Sequence, residues 1–281
     1  MKDRRITEER RLAFEGRLRE EERSRATVEK YCREVAAFSR WLGRETVTKE
    51  AVLRWKDALL ARGLRPATVN GKLTALSRFF CFTGWEDCRV RQLRLQRRIF
   101  CGREKELSRE EYERLVRTAR EKGQKGLALL LEAICSTGIR VSEVRFLTVE
   151  AAKRGRAEIS LKGKSRVILL PERLCKRLLS YAAKRGVRRG EVFLSKTGRS
   201  LDRRRIWREM KALCPLAGVR AEKVFPHNLR HLFSRVFYEI TRDISKLSDV
   251  LGHSSMETTR VYLISAGAEH RRALERMRLI L

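Results

Sequence analysis

Three short stretches of this 281-residue chain gather side chains that could do chemistry together. Near the C-terminal end, Pro226-His227-Asn228-Leu229-Arg230-His231 is followed by Leu251-Gly252-His253-Ser254-Ser255 and then by Thr258-Thr259-Arg260-Val261-Tyr262. Far upstream stands Thr137-Gly138-Ile139-Arg140-Val141-Ser142-Glu143. These stretches supply cations for a phosphate, imidazoles for proton transfer and a phenol that could attack phosphorus. No Ser-His-Asp order, paired-carboxylate site or Gly-rich nucleotide loop competes with them. The chemistry they suggest is phosphoryl transfer to a tyrosine. His227 and His231, four apart, have the spacing of a helical metal pair, but Asn228 stands where an H-E-x-x-H site carries its general base, and no metal is expected.

Charge points to the phosphate's owner. Sixty-six Lys and Arg against 35 Asp and Glu leave a net charge of +31, which a compact chain tolerates best beside a polyanion. Nucleic acid fits. A spanning helix needs about 20 apolar residues, and the sequence offers no such run. The N-terminus leads into Glu- and Arg-rich sequence rather than the apolar core of a signal peptide, so a cytoplasmic, nucleoid-associated protein without membrane partners is expected. Seven cysteines include no C-x-x-C pair and are expected to be reduced and mostly buried.

Positioning such groups requires a scaffold, and the periodicity describes a mainly helical one with a small β-sheet. Val28, Tyr31, Val35, Phe38 and Leu42 recur at helical steps, as do Val52, Trp55 and Leu59, and then Val69, Leu73, Leu76 and Phe80 behind Pro66. With the segment around Phe14 and Leu18 these predict a four-helix N-terminal domain over residues 1–95. A basic linker over 96–106 follows. Arg91, Arg94, Arg97 and Arg98 lie along and just before it, where arginines can hold a DNA backbone through its phosphates. A second domain, 107–281, opens at Ser108 and runs through Leu115, Leu127, Leu131 and Ile134. Ala157–Leu161 and Arg166–Leu170 predict a β-hairpin with Lys162-Gly163-Lys164-Ser165 as its tip. Helices are expected from Glu172, Asp202, Pro226, Asp243, Ser255 and Ala268.

From about Ser24 onward the sequence resembles the tyrosine recombinases of the phage-integrase and Xer type, through Thr137–Glu143, His227-x-x-Arg230-His231, and Leu251-Gly252-His253-Ser254 with Tyr262 nine residues past His253. Each box alone has an ordinary structural explanation, and it is their order and spacing that carry the resemblance. It implies an N-terminal helical core-binding (SAM-like) domain and a mixed α/β catalytic domain closing as a C-shaped clamp on DNA. It also implies a site-specific recombinase or integrase that cuts and rejoins strands through a 3′-phosphotyrosine, without cofactor or metal. In that picture Arg140 and Arg230 hold the phosphate, His227 is the base, His253 donates a hydrogen bond to the phosphate and Tyr262 is the nucleophile. Lys162 is the acid for the leaving oxygen. Because the turn is shorter than the family's G-K-G-x-x-x-R form, Lys164 stands as the alternative acid or as a DNA contact. Partners would be double-stranded DNA with an inverted-repeat core site and three further copies of the chain on paired sites. The helical N-terminal domain and the Leu-Gly-His-Ser box argue against a type IB topoisomerase, and the full set of catalytic positions argues against a non-catalytic accessory protein.

Overall fold

Short polar side chains set where the helices begin. Thr7, Ser24 and Thr48 accept hydrogen bonds from the backbone N–H groups of Arg10, Thr27 and Ala51 at 3.2, 3.3 and 3.1 Å, and each satisfies a donor that the helix itself cannot. The computed structural model describes residues 4–95, 106–161, 164–195, 197–252 and 256–260. The chain divides into two compact units, residues 1–97 and 98–281.

In the first unit these caps open α1 (Glu8–Glu20), α2 (Arg25–Leu42) and α3 (Lys49–Ala61), while Pro66, which needs no N–H partner there, opens α4 (Pro66–Thr83). Their apolar stripes meet in an aromatic core: Phe14 packs edge-on against Phe79 with ring centroids 5.2 Å apart, and Phe38 packs against Trp55 at 5.1 Å. Glu34 is buried between α2 and α4 and is held ionised by Lys72 and Arg33; burial pushes its carboxyl pKa up, but these partners pull it below its ordinary value. After α4 the chain lies back on the bundle. The Asn70 side chain donates to the Leu93 carbonyl at 2.9 Å and accepts from the Leu93 N–H at 2.8 Å. Arg91 and Arg94 flank that clasp and are exposed. The expected linker falls almost wholly outside the described residues, with Arg97 and Arg98.

The second unit begins at a reciprocal cap, Glu111 N–H to Ser108 Oγ at 3.2 Å and Ser108 N–H to Glu111 Oε2 at 2.8 Å. This opens α5 (Arg109–Glu121), followed by α6 (Lys125–Thr137). Leu127 through Leu131, Ala133 and Ile134 of α6 are all buried, the signature of a helix covered on every side. After a 3₁₀ turn over Val141–Phe146 come α7 (Val149–Arg154), strands β1 (Arg156–Leu161) and β2 (Lys164–Leu169), α8 (Glu172–Lys184), α9 (Arg203–Leu213), α10 (Pro226–Thr241), α11 (Ile244–Leu251) and α12 (Met256–Arg260). α6 is covered in part by α10, which carries two of the expected site residues. The expected helix from Ala268 lies outside the described residues.

One sequence expectation is corrected here. β1 and β2 pair antiparallel from Arg156–Leu169 to Leu161–Lys164, so Lys164 and Ser165 belong to β2 rather than to the hairpin tip. Continuing the ladder to the Leu161–Lys164 pair satisfies backbone groups that a four-residue turn would leave to solvent.

Candidate active site

The turn that presents Arg140 is built by its predecessors. Thr137 is buried at the end of α6, donating to the Ala133 carbonyl at 2.6 Å and accepting from the Ile139 N–H at 3.3 Å. Gly138 then takes a φ of +63°, and a Cβ there would lie 2.5 Å from the Phe233 ring, so only glycine combines this backbone with this packing. The chain emerges with Arg140 at the start of the 3₁₀ turn and Glu143 one turn in.

Glu143 is 4% exposed and organises what surrounds it. It accepts from the Arg140 N–H at 2.8 Å, from Arg140 Nη1 at 3.0 Å and from Arg166 Nη2 at 2.5 Å. Burial alone would raise its carboxyl pKa; the Arg140 N–H and the two guanidiniums reverse this and hold it below the ordinary carboxylate value. Arg166 reaches on to the Leu251 carbonyl at the end of α11. The same carbonyl accepts from Arg230 Nη2 at 2.8 Å, and Arg230 Nη1 donates to the Gly138 carbonyl. Arg230 is 2% exposed, whereas the Arg140 side chain is 39% exposed. One arginine therefore offers its guanidinium at the surface, and the other lies beneath it.

These bonds gather three guanidiniums around Glu143 and the Leu251 carbonyl, with Arg166 and Arg230 buried and Arg140 partly exposed. The partly exposed Arg140 guanidinium can meet an anion from solvent. Planar guanidiniums suit phosphate oxygens in particular. His227 stands in the first turn of α10 with its ring edge-to-face with His231, centroids 4.7 Å apart at 89°. The surrounding protein, Arg230 and Arg140 lower the His227 pKa, and burial with His227 and Arg230 pushes His231 down to about 4. A neutral imidazole keeps one unprotonated ring nitrogen that can accept a proton.

Of the residues expected from sequence, the structure brings Arg140, Arg230 and His227 together. Lys162, His253 and Tyr262 lie outside the described residues, as does the side chain of Lys164; the described chain reaches Gly252, immediately before His253. Arg91 and Arg94 belong to the first unit. Sequence reasoning missed Arg166 as a site residue. Its signal was an arginine on the β2 parity that otherwise holds Ile168.

The fold and this site describe a mainly helical two-unit protein whose second unit gathers Arg140, Arg166 and Arg230 around Glu143 and the Leu251 carbonyl. The profile of the phage integrase family matches residues 105–269 and that of the phage integrase N-terminal SAM-like domain matches residues 13–87, so the chain belongs to the phage integrase family of tyrosine-type site-specific recombinases. It is 32% identical over 242 residues to tyrosine recombinase XerD of Caulobacter vibrioides, covering 79% of this chain and 78% of that one. It is 29% identical over 243 residues to tyrosine recombinase XerA of Pyrococcus furiosus, covering 83% and 82%. Among solved structures it shares the fold of a XerH site-specific recombinase bound to a palindromic difH substrate in a post-cleavage complex, with a TM-score of 0.70, 17% identity and coverage of 99% and 91%.

Proposed function

We propose that the chain cuts one strand of double-stranded DNA with Tyr262 at an inverted-repeat core site and passes that strand to a partner. Tyr262 Oη bonds to phosphorus, the bond from phosphorus to the 5′ oxygen breaks, and the strand is held as a 3′-phosphotyrosine. A second 5′ hydroxyl reverses the step. Bond energy is kept in the covalent link, which is why the chemistry proceeds without a nucleotide. Arg140 and Arg230 stabilise the non-bridging oxygens, Arg140 by contact and Arg230 from beneath. His227 takes the phenolic proton, His253 donates a hydrogen bond to the phosphate, and Lys162 gives the leaving oxygen its proton, with Lys164 as the alternative donor. Residues 1–95 hold the DNA core site, with Arg91, Arg94, Arg97 and Arg98 on phosphates, and 107–281 do the chemistry. Integration, excision and dimer resolution are this same reaction on differently placed sites. Among the described residues no helix is long and apolar enough to cross a membrane.

The observation that carries this reading is the convergence of Arg140, Arg166 and Arg230 around Glu143 and the Leu251 carbonyl, with Arg140 partly exposed where a phosphate could reach it. The test is a plasmid bearing two core sites. Recombinant circles or deletions are expected, and relaxation of supercoils without any recombinant product would favour a topoisomerase instead.

Assembly on paired sites is assigned to the segment after Tyr262, where Ile264, Leu274, Met277 and Ile280 alternate with arginines. Its receiver on the neighbouring copy would be a 310 Å³ groove on the second unit lined by Tyr112, Leu232, Phe233, Val236 and Phe237, with Ile240 exposed at its rim. Deleting the residues after Ala266 is expected to leave single-site binding nearly intact and to abolish the four-copy paired-site complex on a native gel. If the truncated chain still assembled and recombined normally, the tail would not be the assembly element.

A further inference from the structure

A half-covered hairpin turns apolar side chains inward and polar ones to water. Here Ala157, Ile159 and Ile168 are 0, 2 and 2% exposed, while Val167 and Leu169 on the opposite face are 52 and 75% exposed. Arg166 pairs with Ile159 and so falls on the inward face, where an unpaired guanidinium is strongly disfavoured. It is held there by partners on two other elements. Nη2 donates to Glu143, in the turn that carries Arg140, and Nη1 donates to the Leu251 carbonyl, at the end of α11. Gly252 is shaped around it: φ is +61°, and a Cβ would collide with Arg166 Cδ. The backbone of Arg166 meanwhile sits two residues from the Leu161–Lys164 pair that closes the hairpin.

We infer that Arg166 is a positioning residue: its fork fixes the end of the hairpin, and with it the lysine that protonates the leaving oxygen, relative to the arginines that hold the phosphate. The inference rests on the functional reading above. Arg140 and Arg230 do not depend on it, since Arg140 keeps two bonds to Glu143 and Arg230 keeps the Gly138 and Leu251 carbonyls. The hairpin does depend on it. Beyond Arg166 only the Ser160–Ser165 and Leu161–Lys164 backbone pairs remain, and the Ser160 and Ser165 side chains make no hydrogen bond to another element among the described residues. A two-stranded ladder so short does not hold its own direction in water. An acid misplaced by an ångström gives its proton poorly although the phosphate is still bound.

The test separates proton delivery from every other role. In a 5′-bridging phosphorothiolate the bond from phosphorus to sulfur breaks and the sulfur departs as a thiolate, so no acid is required. On an ordinary phosphodiester, Arg166→Met is expected to slow single-turnover cleavage on the order of 10²-fold, the scale of a lost general acid. On the phosphorothiolate it is expected to cleave close to the parental rate. Arg166→Lys, which keeps the charge but not the fork, is expected to fall between parent and Arg166→Met on the phosphodiester and to be rescued equally. Rescue itself shows that the variants are folded. Lys162→Ala and Lys164→Ala are run beside them, and rescue on the phosphorothiolate marks the lysine that acts as the acid, expected to be Lys162. A defect in Arg166→Met that persists on the phosphorothiolate while a lysine variant is rescued overturns the inference and leaves the functional reading standing, as does parental cleavage of the phosphodiester by Arg166→Met. If neither lysine variant is rescued, the assignment of the acid has failed and the inference falls with it.

Discussion

Tyr262→Phe is expected to bind its DNA site with near-parental affinity and to form no covalent adduct at all. The substitution removes one oxygen and leaves the net charge of +31, and affinity for DNA of this kind is dominated by phosphate contacts and counterion release. The chemistry, by contrast, has no substitute nucleophile. Of the other four tyrosines, Tyr31 belongs to the first unit, and Tyr112 is held in its protonated form by burial, with Cys135 and Glu132 adding to the effect. The Tyr181 hydroxyl is packed against Gly126. Tyr238 is eight residues beyond Arg230 on α10, about 12 Å along the helix axis. A nicked suicide substrate run on a denaturing gel reads the adduct directly. An adduct that survived in the phenylalanine variant would assign the nucleophile to another residue.

Arg140→Ala and Arg230→Ala are each expected to slow cleavage by on the order of 10²–10³, the scale of one charge-stabilising group at a transition state, while DNA affinity changes little. The two should part company in stability. Arg140 is 39% exposed at the side chain and its removal leaves Glu143 paired with Arg166, so thermal unfolding of Arg140→Ala should stay close to the parent. Arg230 is 2% exposed and ties the Gly138 carbonyl to the Leu251 carbonyl. Its loss strands a buried acceptor, at a cost of about 1–3 kcal/mol, and Arg230→Ala should unfold at a measurably lower temperature. Single-turnover cleavage and a thermal melt on both variants check this. Near-parental cleavage by either one would reassign that arginine to structure.

Much of this protein was legible before any coordinates. Helix starts at Thr7, Ser24, Thr48 and Ser108 are local events within four residues, and the apolar stripes of α2 to α4 repeat at the helical period, so both can be read from neighbours in the chain. The hairpin was legible for the same reason, but its length was not. Whether Lys164 ends the turn or begins the strand depends on which backbone groups find partners across the ladder, and composition does not record that. Half of the described cysteines are only partly buried, against the expectation that most would be covered, because apolar neighbours in sequence do not reveal how closely the next element packs.

The sequence by itself determined the class of protein through the order of the boxes and the polyanion-seeking charge, and it singled out Arg140, His227 and Arg230 as the residues to look for. Only the tertiary structure decided how those groups differ. It set Arg140 at the surface and Arg230 beneath it, it drew Arg166 into the cluster, and it gave Gly138 and Gly252 their necessity through Phe233 and Arg166. The physical reason is range. Caps and periodic stripes are satisfied by neighbours within a turn or two of chain, whereas Arg166 meets Leu251 across 85 residues and Arg230 meets Gly138 across 92, and such contacts exist only after separate helices and a hairpin have packed their apolar faces together.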